Sequence, residues 1–392
     1  MILERILPTD EAVDLLDLVQ DFGSRVMDPM VNEHEREARY PEGLFAQLGE
    51  LGLLGLPFSP DLGGGGQPYE VYLQALEELG RHWAAVAVAV SVHTMSCLAL
   101  AQHGTPEQQE RWLAPMIDGT LIGGYSLSEP NAGSDVAALE ARATPVEGGY
   151  LITGEKSWIT HGGRADNYVL FARTGPGARG VSAFIAPGEV DGLRFSPPLH
   201  KMGLEAIPTA SAFWDGALLE EDRLLGAPGQ GLPIALGALD SGRLGIAAVA
   251  TGLAQAALDI AIDYARSRTA FGKPIIGHQG VGFLLADMAA AVETSRSSYI
   301  DAARRRDRGL PFTRQASIAK LTSTDTAMRV TTDAVQVLGG AGYTTDYPLE
   351  RYMREAKVMQ IFEGTNQIQR LVIGRSLDRG DAGRLSVVGD GV

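Results

Sequence analysis

Only one of the 392 residues is a cysteine, so the chain cannot form an intramolecular disulfide or a thiolate metal cluster. Basic residues are also scarce, 33 against 48 acidic ones, and the formal net charge is −15. We therefore expect no nucleic acid partner, because phosphate binding requires clustered Lys and Arg. The one basic run, residues 304–308, ends a helical segment and predicts a solvated helix end.

Common cofactor and metal motifs are missing as well. No GxGxxG follows a predicted N-terminal strand, no GK[ST] follows the glycines at 63–66, and no HExxH, CxxC or EF-hand loop occurs. A Rossmann site, a P-loop and a metal site are therefore not predicted. The segment 83–101 is long enough to span a bilayer, but its alanines, hydroxyls and His93 favour a buried helix. With no signal-peptide core at the N-terminus, we expect a cytoplasmic protein without membrane contact.

Hydrophobic periodicity changes twice along the chain. Residues 1–120 show helical spacing, beginning with an amphipathic run for which Asp10 is the predicted N-cap. Residues 121–230 contain short β-type runs bounded by Gly and Pro, which predict a β-sandwich or barrel. Helical spacing returns at 231–378, and 379–392 have the composition of a polar tail. This order predicts a protein that is mainly α with a central β domain.

Four stretches could bind a flat, phosphate-bearing ligand. In the first stretch, hydroxyl and backbone N–H donors suit the polar edge of such a ligand, and in the second an indole can pack against its rings. In the third, Arg268 can pair with phosphate, and in the fourth, glycines permit close approach of the backbone. Each stretch also has an ordinary structural interpretation, namely a β-turn, a core Trp, a cation at a helix C-terminus and a helix C-cap. Taken singly, the residues leave both interpretations open. The stretches are 125–135 (YSLSEPNAGSD), 156–163 (KSWITHGG), 268–274 (RTAFGKP) and 336–342 (QVLGGAG).

A fifth stretch, 361–370 (IFEGTNQIQR), places a single carboxylate just before a predicted helix. Glu363 follows two apolar residues, and Thr365 or Asn366 is the predicted N-cap. Apolar neighbours such as Phe362 would desolvate the carboxylate and raise its pKa, which suits a general base. The alternative is an acid that merely favours the positive end of the helix dipole.

The order and spacing of these five stretches resemble the successive motifs of the acyl-CoA dehydrogenases, over about residues 5–378. The resemblance implies three domains and a tail. These are an N-terminal helical domain (1–120), a middle β-sandwich or barrel (121–230), a C-terminal four-helix-bundle domain (231–378) and the tail 379–392.

The resemblance also implies FAD, bound between the middle β domain and the C-terminal helices. The stretch at 125–134 would lie against the isoalloxazine, and residues 158–160 would line its other side. Arg268, Gln279 and residues 336–340 would hold the pyrophosphate and adenine, in part from a neighbouring subunit. The implied FAD-contacting residues are Tyr125, Leu127, Ser128, Gly133, Ser134, Trp158, Ile159, Thr160, Arg268, Phe271, Gln279, Gln336, Val337, Gly339, Gly340, Thr365, Asn366 and Gln367.

Glu363 matches the catalytic base of the family. It would remove the Cα proton of an acyl-CoA thioester while hydride passes from Cβ to flavin N5, giving the trans-2-enoyl-CoA. Relatives of the isovaleryl type carry the base at the position of Gly242, so glycine there supports Glu363 as the sole base. The implied substrate contacts are Ser134, Asp240, Arg243, Phe362 and Gly364.

The resemblance further implies a homo-oligomer, a tetramer or a dimer, that takes part in fatty acid β-oxidation and passes electrons to an electron-transferring flavoprotein. Two rival interpretations remain at this point: an acyl-CoA oxidase-like enzyme that uses O₂, and a catalytically silent helical binding protein of the same fold. We expect straight short-to-medium acyl chains. Glu205 departs from the basic or neutral residue of many relatives, so CoA or surface contacts there would differ.

Overall fold

The computed structural model describes residues 5–378, and within that range the order is helical, β, helical. The predicted mainly α fold with a central β domain is confirmed. The predicted polar tail, 379–392, lies outside the described residues. Ten strands and twelve α-helices make up the described fold.

Seven helices form the N-terminal part. Thr9, not Asp10, caps the first of them, because the Thr9 side chain accepts a hydrogen bond from the Ala12 N–H at 3.1 Å and Asp10 is already helical. Five-residue π-helical segments, Gly23–Met27 and Gln109–Leu113, join α1 to α2 and α6 to α7. The helices are α1 Asp10–Phe22, α2 Asp28–Glu37, α3 Leu44–Glu50, α4 Tyr69–His82, α5 Ala84–His103, α6 Pro106–Gln108 and α7 Ala114–Ile117.

The middle part is one eight-stranded sheet that folds over itself. Its strand order is β6-β7-β3-β2-β4-β5-β8, with β1 parallel to β4. Strand β2 joins the two arms, and side chains from both arms, such as Trp214 and Phe184, meet in one apolar core. This arrangement agrees with the predicted sandwich. The strands are β1 Gly123–Ser126, β2 Arg142–Val146, β3 Gly149–Thr160, β4 Asn167–Arg173, β5 Val181–Pro187, β6 Leu193–Phe195, β7 Thr209–Glu220 and β8 Leu224–Leu225.

The C-terminal part is a bundle of three long helices followed by two shorter ones. A small hairpin, β9 Thr269–Ala270 with β10 Lys273–Pro274, joins the first two helices. The basic run at 304–308 ends a helix as predicted, but Arg306 is not simply solvated, since its guanidinium lies 3.8 Å from the centre of the Tyr69 ring. The helices are α8 Gly231–Ser267, α9 Gln279–Asp307, α10 Thr313–Leu338, α11 Leu349–Met359 and α12 Asn366–Asp378.

Helices α5 and α8 are apolar and long enough to cross a membrane, and both lie inside the protein. The predicted buried helix at 83–101 is thus confirmed: 94% of its most apolar window is buried. Helix α8 packs against α4 and α5, and these three helices contribute to one hydrophobic core shared by the N-terminal and C-terminal parts. Glycine permits that approach, because a Cβ atom at Gly252 would collide with the carbonyl oxygen of Glu77.

Candidate active site

Glu363 stands on a sharp turn immediately before α12. Its φ is +53° and that of Gly364 is +85°, so two consecutive residues adopt left-handed backbone conformations. A non-glycine residue rarely does so, and such strain is concentrated at functional sites. Thr365 is the N-cap, because its hydroxyl accepts from the Ile368 N–H at 3.2 Å, whereas Asn366 is the first helical residue.

The carboxylate of Glu363 lies beside Gly242 of α8, close to where Met95 of α5 packs. Its Oε2 atom is buried and accepts no hydrogen bond from any described residue. A Cβ atom built on Gly242 of α8 would lie 3.0 Å from that oxygen and 2.9 Å from Sδ of Met95 on α5. The fold therefore brings an unpaired carboxylate, a helix position without a side chain and a flexible apolar side chain to one point.

The local electrostatics favour a base that works near neutral pH. Burial raises the pKa of Glu363 to about 7, while the positive charges of Arg243 and Lys320 act in the opposite direction. The backbone N–H of Glu363 donates to no described residue, so it is available to polarise a substrate carbonyl. Both features fit proton removal next to a carbonyl group.

Lys320 on α10 was not identified from the sequence. Its Nζ donates to the carbonyl oxygen of Gly364 and to Oδ1 of Asn366, both at 2.9 Å. Burial lowers the pKa of Lys320 to about 7, with the Glu363 carboxylate opposing that shift. The available signal was a single lysine among small residues, spaced with Ser317 and Thr324 on what proves to be a buried helix face.

Asp240 and Arg243, predicted to contact CoA, form an ion pair on α8. The Nη1 atom of Arg243 lies 2.6 Å from Oδ1 of Asp240, and Thr313 donates to the other carboxylate oxygen at 2.5 Å. Burial raises the pKa of Asp240, and the hydrogen bond from Thr313 and the charge of Arg243 oppose the shift. Glu205, in contrast, closes its own loop by accepting from the Lys201 N–H at 2.6 Å.

Two predicted flavin stretches are joined by a buried ion pair. Nζ of Lys156 donates to Oε1 of Glu129 at 2.7 Å and to the carbonyl of Leu127 at 3.0 Å. Lys156 is fully buried. The N–H of Ser157 also donates to the carbonyl of Ser128 at 2.8 Å, which fixes the end of β3 against the turn at 127–134.

Trp158 faces outward from a bulge in β3. The pairing of β3 with β7 shifts register between Lys156 and Ile159, and the φ of Trp158 is +62°. Consequently the indole is 68% exposed, while the next side chain, Ile159, lies in the sheet core. The predicted core Trp is the wrong interpretation of this stretch, and an indole that can cover a ring system is the better one.

The turn at 125–134 has polar groups and open space that suit FAD. The Ser126 hydroxyl is buried and has no hydrogen-bond partner among the described residues. Burial raises the pKa of the neighbouring Tyr125, and the negative charge of Glu363 raises it further. Ser134 is exposed, and a Cβ atom at Gly133 would meet no described atom within 4 Å. An exposed indole, free hydroxyls and open space fit a planar, oxygen-rich cofactor.

Several of the remaining predicted FAD contacts lie away from Glu363, although Asn366 and Gln367 directly follow its turn. Arg268 follows Gly242 by 26 residues along α8, which is roughly 39 Å at the rise of an α-helix. Phe271 is 97% exposed on the hairpin, and Gln279, Gln336, Gly339 and Gly340 are exposed at the ends of α9 and α10. Val337 and Asn366 are buried, whereas Gln367 is exposed. One chain therefore does not bring Arg268 to the turn that carries Glu363.

Three known protein families match successive parts of the chain. They are described as acyl-CoA dehydrogenase N-terminal domain (residues 9–120), middle domain (124–216) and C-terminal domain (229–377). A short-chain specific acyl-CoA dehydrogenase of Megasphaera elsdenii is 40% identical over 378 residues, which cover 95% of this chain and 99% of the relative.

Solved structures agree with these matches. Butyryl-CoA dehydrogenase from Megasphaera elsdenii has a TM-score of 0.94 and 39% identity, covering 96% of this chain and 100% of the other. A structure described with the electron transferring flavoprotein of Acidaminococcus fermentans has the same TM-score at 38% identity, with the same coverage. The chain therefore belongs to the acyl-CoA dehydrogenase family, as an FAD-dependent acyl-CoA dehydrogenase.

Proposed function

We propose that this enzyme oxidises short-chain acyl-CoA thioesters to trans-2-enoyl-CoA, with Glu363 as the only base. The observation that carries the proposal is the buried, unpaired Glu363 carboxylate, whose pKa is raised to about 7. A carboxylate with its ordinary pKa is a poor base for a Cα proton, and desolvation improves it.

The chain's own residues have distinct roles in this reaction. Glu363 takes the Cα proton, and its free backbone N–H polarises the thioester carbonyl and stabilises the enolate-like charge. Asp240 and Arg243 bind the CoA portion, and the turn at 125–134 with Trp158 orients the flavin ring. FAD, when bound, supplies the acceptor for the hydride that leaves Cβ.

The decisive experiment is anaerobic flavin reduction by a panel of acyl-CoA thioesters, in the wild type and in Glu363→Gln. We expect wild-type bleaching to weaken as the pH falls through about 7, because Glu363 must be deprotonated to act. The variant, which keeps its FAD, should lose about 10²–10⁴-fold in rate. Equal rates in both proteins would contradict the assignment, and a purified protein without flavin would revive a silent binding protein.

A short acyl chain is supported by relatives and by geometry. The Megasphaera relative is short-chain specific, and the Met95 sulfur stands 2.9 Å from where a Gly242 side chain would begin, next to the base. Met95→Ala should therefore raise the relative rate with longer chains, since it removes side-chain volume beside the reacting carbons. The matched control is Met202→Ala, because Met202 is 56% exposed. An unchanged chain-length profile in Met95→Ala would contradict this role.

The distance along α8 supports FAD sites shared between two copies of the chain. Arg268 would bind the FAD phosphate of a neighbouring subunit, so Arg268→Ala should lower FAD retention and oligomer content together. Arg266→Ala is the matched control, since Arg266 is an exposed arginine in the last turn of α8. Full FAD content in a monomeric Arg268→Ala protein would contradict shared sites.

An electron-transferring flavoprotein is the proposed acceptor, since a structural relative is described with such a protein. We place the enzyme in fatty acid β-oxidation in the cytoplasm, as a tetramer or a dimer. Stopped-flow reoxidation of the reduced enzyme tests the acceptor. Slow reoxidation by air and fast reoxidation by the flavoprotein are expected, and the reverse order would identify an oxidase.

A further inference from the structure

Lys320 joins helix α10 to both sides of the turn that carries the base. Its ammonium donates to the carbonyl of Gly364, directly after Glu363, and to the side-chain oxygen of Asn366, the first residue of α12. Lys320 itself is fully buried. An ammonium group away from water is retained only where it has specific partners, so this contact is a defined feature of the turn.

Neighbouring residues of α10 complete the attachment. The amide nitrogen of Asn366 lies 3.0 Å from Oγ1 of Thr324 and 2.7 Å from Oδ1 of Asp325. Gln369 shares the carbonyl of Gly364, at 2.8 Å. Among the described residues, two side chains therefore donate to the Gly364 carbonyl, and of these only Lys320 carries a positive charge.

The charged groups around Glu363 differ in how far they are already neutralised. Arg243 of α8 faces it but lies 2.6 Å from Asp240. Asp325 of α10 acts on Lys320 but lies 3.1 Å from Arg370. Tyr125 of β1 is neutral, because its pKa is raised well above its ordinary value by burial and by Glu363.

Lys320 differs from these groups in having two neutral hydrogen-bond acceptors, a carbonyl and an amide oxygen. Among the described residues, no carboxylate oxygen lies within ion-pair distance of it. While the amine is protonated, its charge is therefore available to act on Glu363, whose Oε2 atom has no hydrogen-bond donor among the described residues.

We propose that Lys320 is the positioning residue of this active site: it fixes the turn that carries Glu363 and its positive charge stabilises the ionised form of that base. The inference rests on the proposed role of Glu363. Lys320, on α10 and distant in sequence from the catalytic stretch, thereby controls the pH at which the base becomes active. A carboxylate with an opposite charge nearby titrates at lower pH than one without it.

The test measures base ionisation without turnover. Acetoacetyl-CoA carries a Cα proton between two carbonyls, so the base can remove it without oxidation. The bound enolate beside oxidised flavin then gives a long-wavelength charge-transfer band, whose intensity is titrated against pH in the holoenzyme. Three variants separate the contributions: Lys320→Arg keeps charge and donors, Lys320→Gln keeps a donor without charge, and Lys320→Met keeps neither.

We expect the midpoint of the band to move to higher pH by about one unit in Lys320→Gln and Lys320→Met, and to stay near the wild-type value in Lys320→Arg. Lys320→Met should also lose FAD more readily than Lys320→Gln, because it removes one hydrogen-bond donor from each of two buried oxygens, leaving Gln369 and Thr324 as their donors. Lys357→Met is the control, since Lys357 is an exposed lysine of α11 and should titrate like the wild type.

Lys320→Gln decides the question, because it retains the donor that folding of the turn needs. A wild-type midpoint in FAD-replete Lys320→Gln would overturn the role of the lysine while leaving Glu363 as the base. Absence of the band from the wild type at every pH would instead overturn the proposed base, and the role of Lys320 with it. The two failures are therefore distinguishable in one experiment.

Discussion

Glu363 combines a strained backbone with an unsatisfied side chain. The positive φ of Glu363 is followed by one at Gly364, and Oε2 has no described hydrogen-bond partner although it is buried. Each of these features is unfavourable for folding, by about 1–3 kcal/mol in typical cases. Their coincidence at one residue indicates that the turn is built for chemistry more than for stability.

The short distance between Gly242 and Glu363 leads to a prediction about moving the base. Glu363→Gly should keep FAD but lose about 10²–10⁴-fold in flavin reduction rate, and adding Gly242→Glu should restore part of it. The reason is that a side chain at 242 starts 3.0 Å from the present position of Oε2. Anaerobic flavin reduction on the acyl-CoA panel measures both proteins.

The control for this experiment is a second α8 glycine. Gly237→Glu in the Glu363→Gly background should restore nothing, since Gly237 is exposed and a Cβ there meets no described atom within 4 Å. Restored rates should also favour different acyl chains, because the new carboxylate enters from the α8 side and displaces Met95. No rescue by Gly242→Glu on any substrate, in FAD-replete protein, would show that base placement is not interchangeable.

Strand β3 combines an outward-facing indole with a buried ion pair two residues earlier. Lys156 points inward to Glu129, and after the register shift Trp158 points outward. Glu129 is held further by the N–H groups of Glu140 and Ala141, at 2.5 and 3.0 Å. The strand end and the 127–134 turn are therefore one structural unit, although about 30 residues separate them.

We predict that Lys156→Met destabilises this unit and releases FAD. Removing one partner of a buried pair leaves an uncompensated charge and typically costs about 3–5 kcal/mol. Thermal unfolding and FAD content after gel filtration report the two effects. Adding Glu129→Gln should recover part of the stability, because it removes the carboxylate charge that Lys156 no longer neutralises. Wild-type stability and flavin content in Lys156→Met alone would contradict the prediction.

A polar network links the first and third parts of the chain. The carboxylate of Glu77 on α4, fully buried, accepts from Arg296 and Tyr299 of α9, and Arg5 lies 3.1 Å from it. Burial would raise the pKa of Glu77, but the charges of Arg5 and Arg296 and the hydrogen bonds from Arg296 and Tyr299 outweigh it, so the pKa is lowered. The helices of the N-terminal part are thus fixed to the bundle by charge as well as by their common apolar core.

Two buried histidines between the sheet and the N-terminal helices predict how stability depends on pH. Burial lowers the pKa of His93 to about 4 and that of His161 to about 3. In the unfolded chain both protonate near pH 6.5. Below that pH the unfolded state binds protons that the folded state does not, so stability is lost as the pH falls from about 6.5 towards 4.

His93→Gln tests this dependence. Each such histidine lowers the free energy of unfolding by roughly 1.4 kcal/mol for each pH unit across that window. The variant removes the contribution of one histidine. Gln retains an acceptor for the Gly123 N–H and a donor for the Met116 carbonyl, which are two of the partners of His93. The stability gap between variant and wild type should therefore narrow from pH 7.5 to pH 5 in urea titrations, and a constant gap would contradict the prediction.

Local sequence patterns predicted the order of the structural elements and one residue of the candidate site. The change of hydrophobic period between helical and β segments predicted the three-part order, because side-chain burial in a helix or strand repeats with the local geometry. The acid before a helix start identified Glu363, and Thr365 was one of two predicted caps. Even these local predictions placed helix ends only to within one residue: the predicted N-cap of α1 is Asp10, and the observed N-cap is Thr9.

Contacts between residues distant in sequence needed the folded chain. Lys320 lies 43 residues before Glu363, and Lys156 lies 27 residues after Glu129, so no local periodicity relates either pair. Met95 beside Gly242, and Arg268 about 39 Å from it, follow from how α5 and α8 pack and extend. Sequence specified which residue types and elements exist, because propensity and patterning act over a few residues. The pairing of charges, the desolvation of Glu363 and the position of its loop arise only when the sheet and the helices of the N-terminal and C-terminal parts exclude water together.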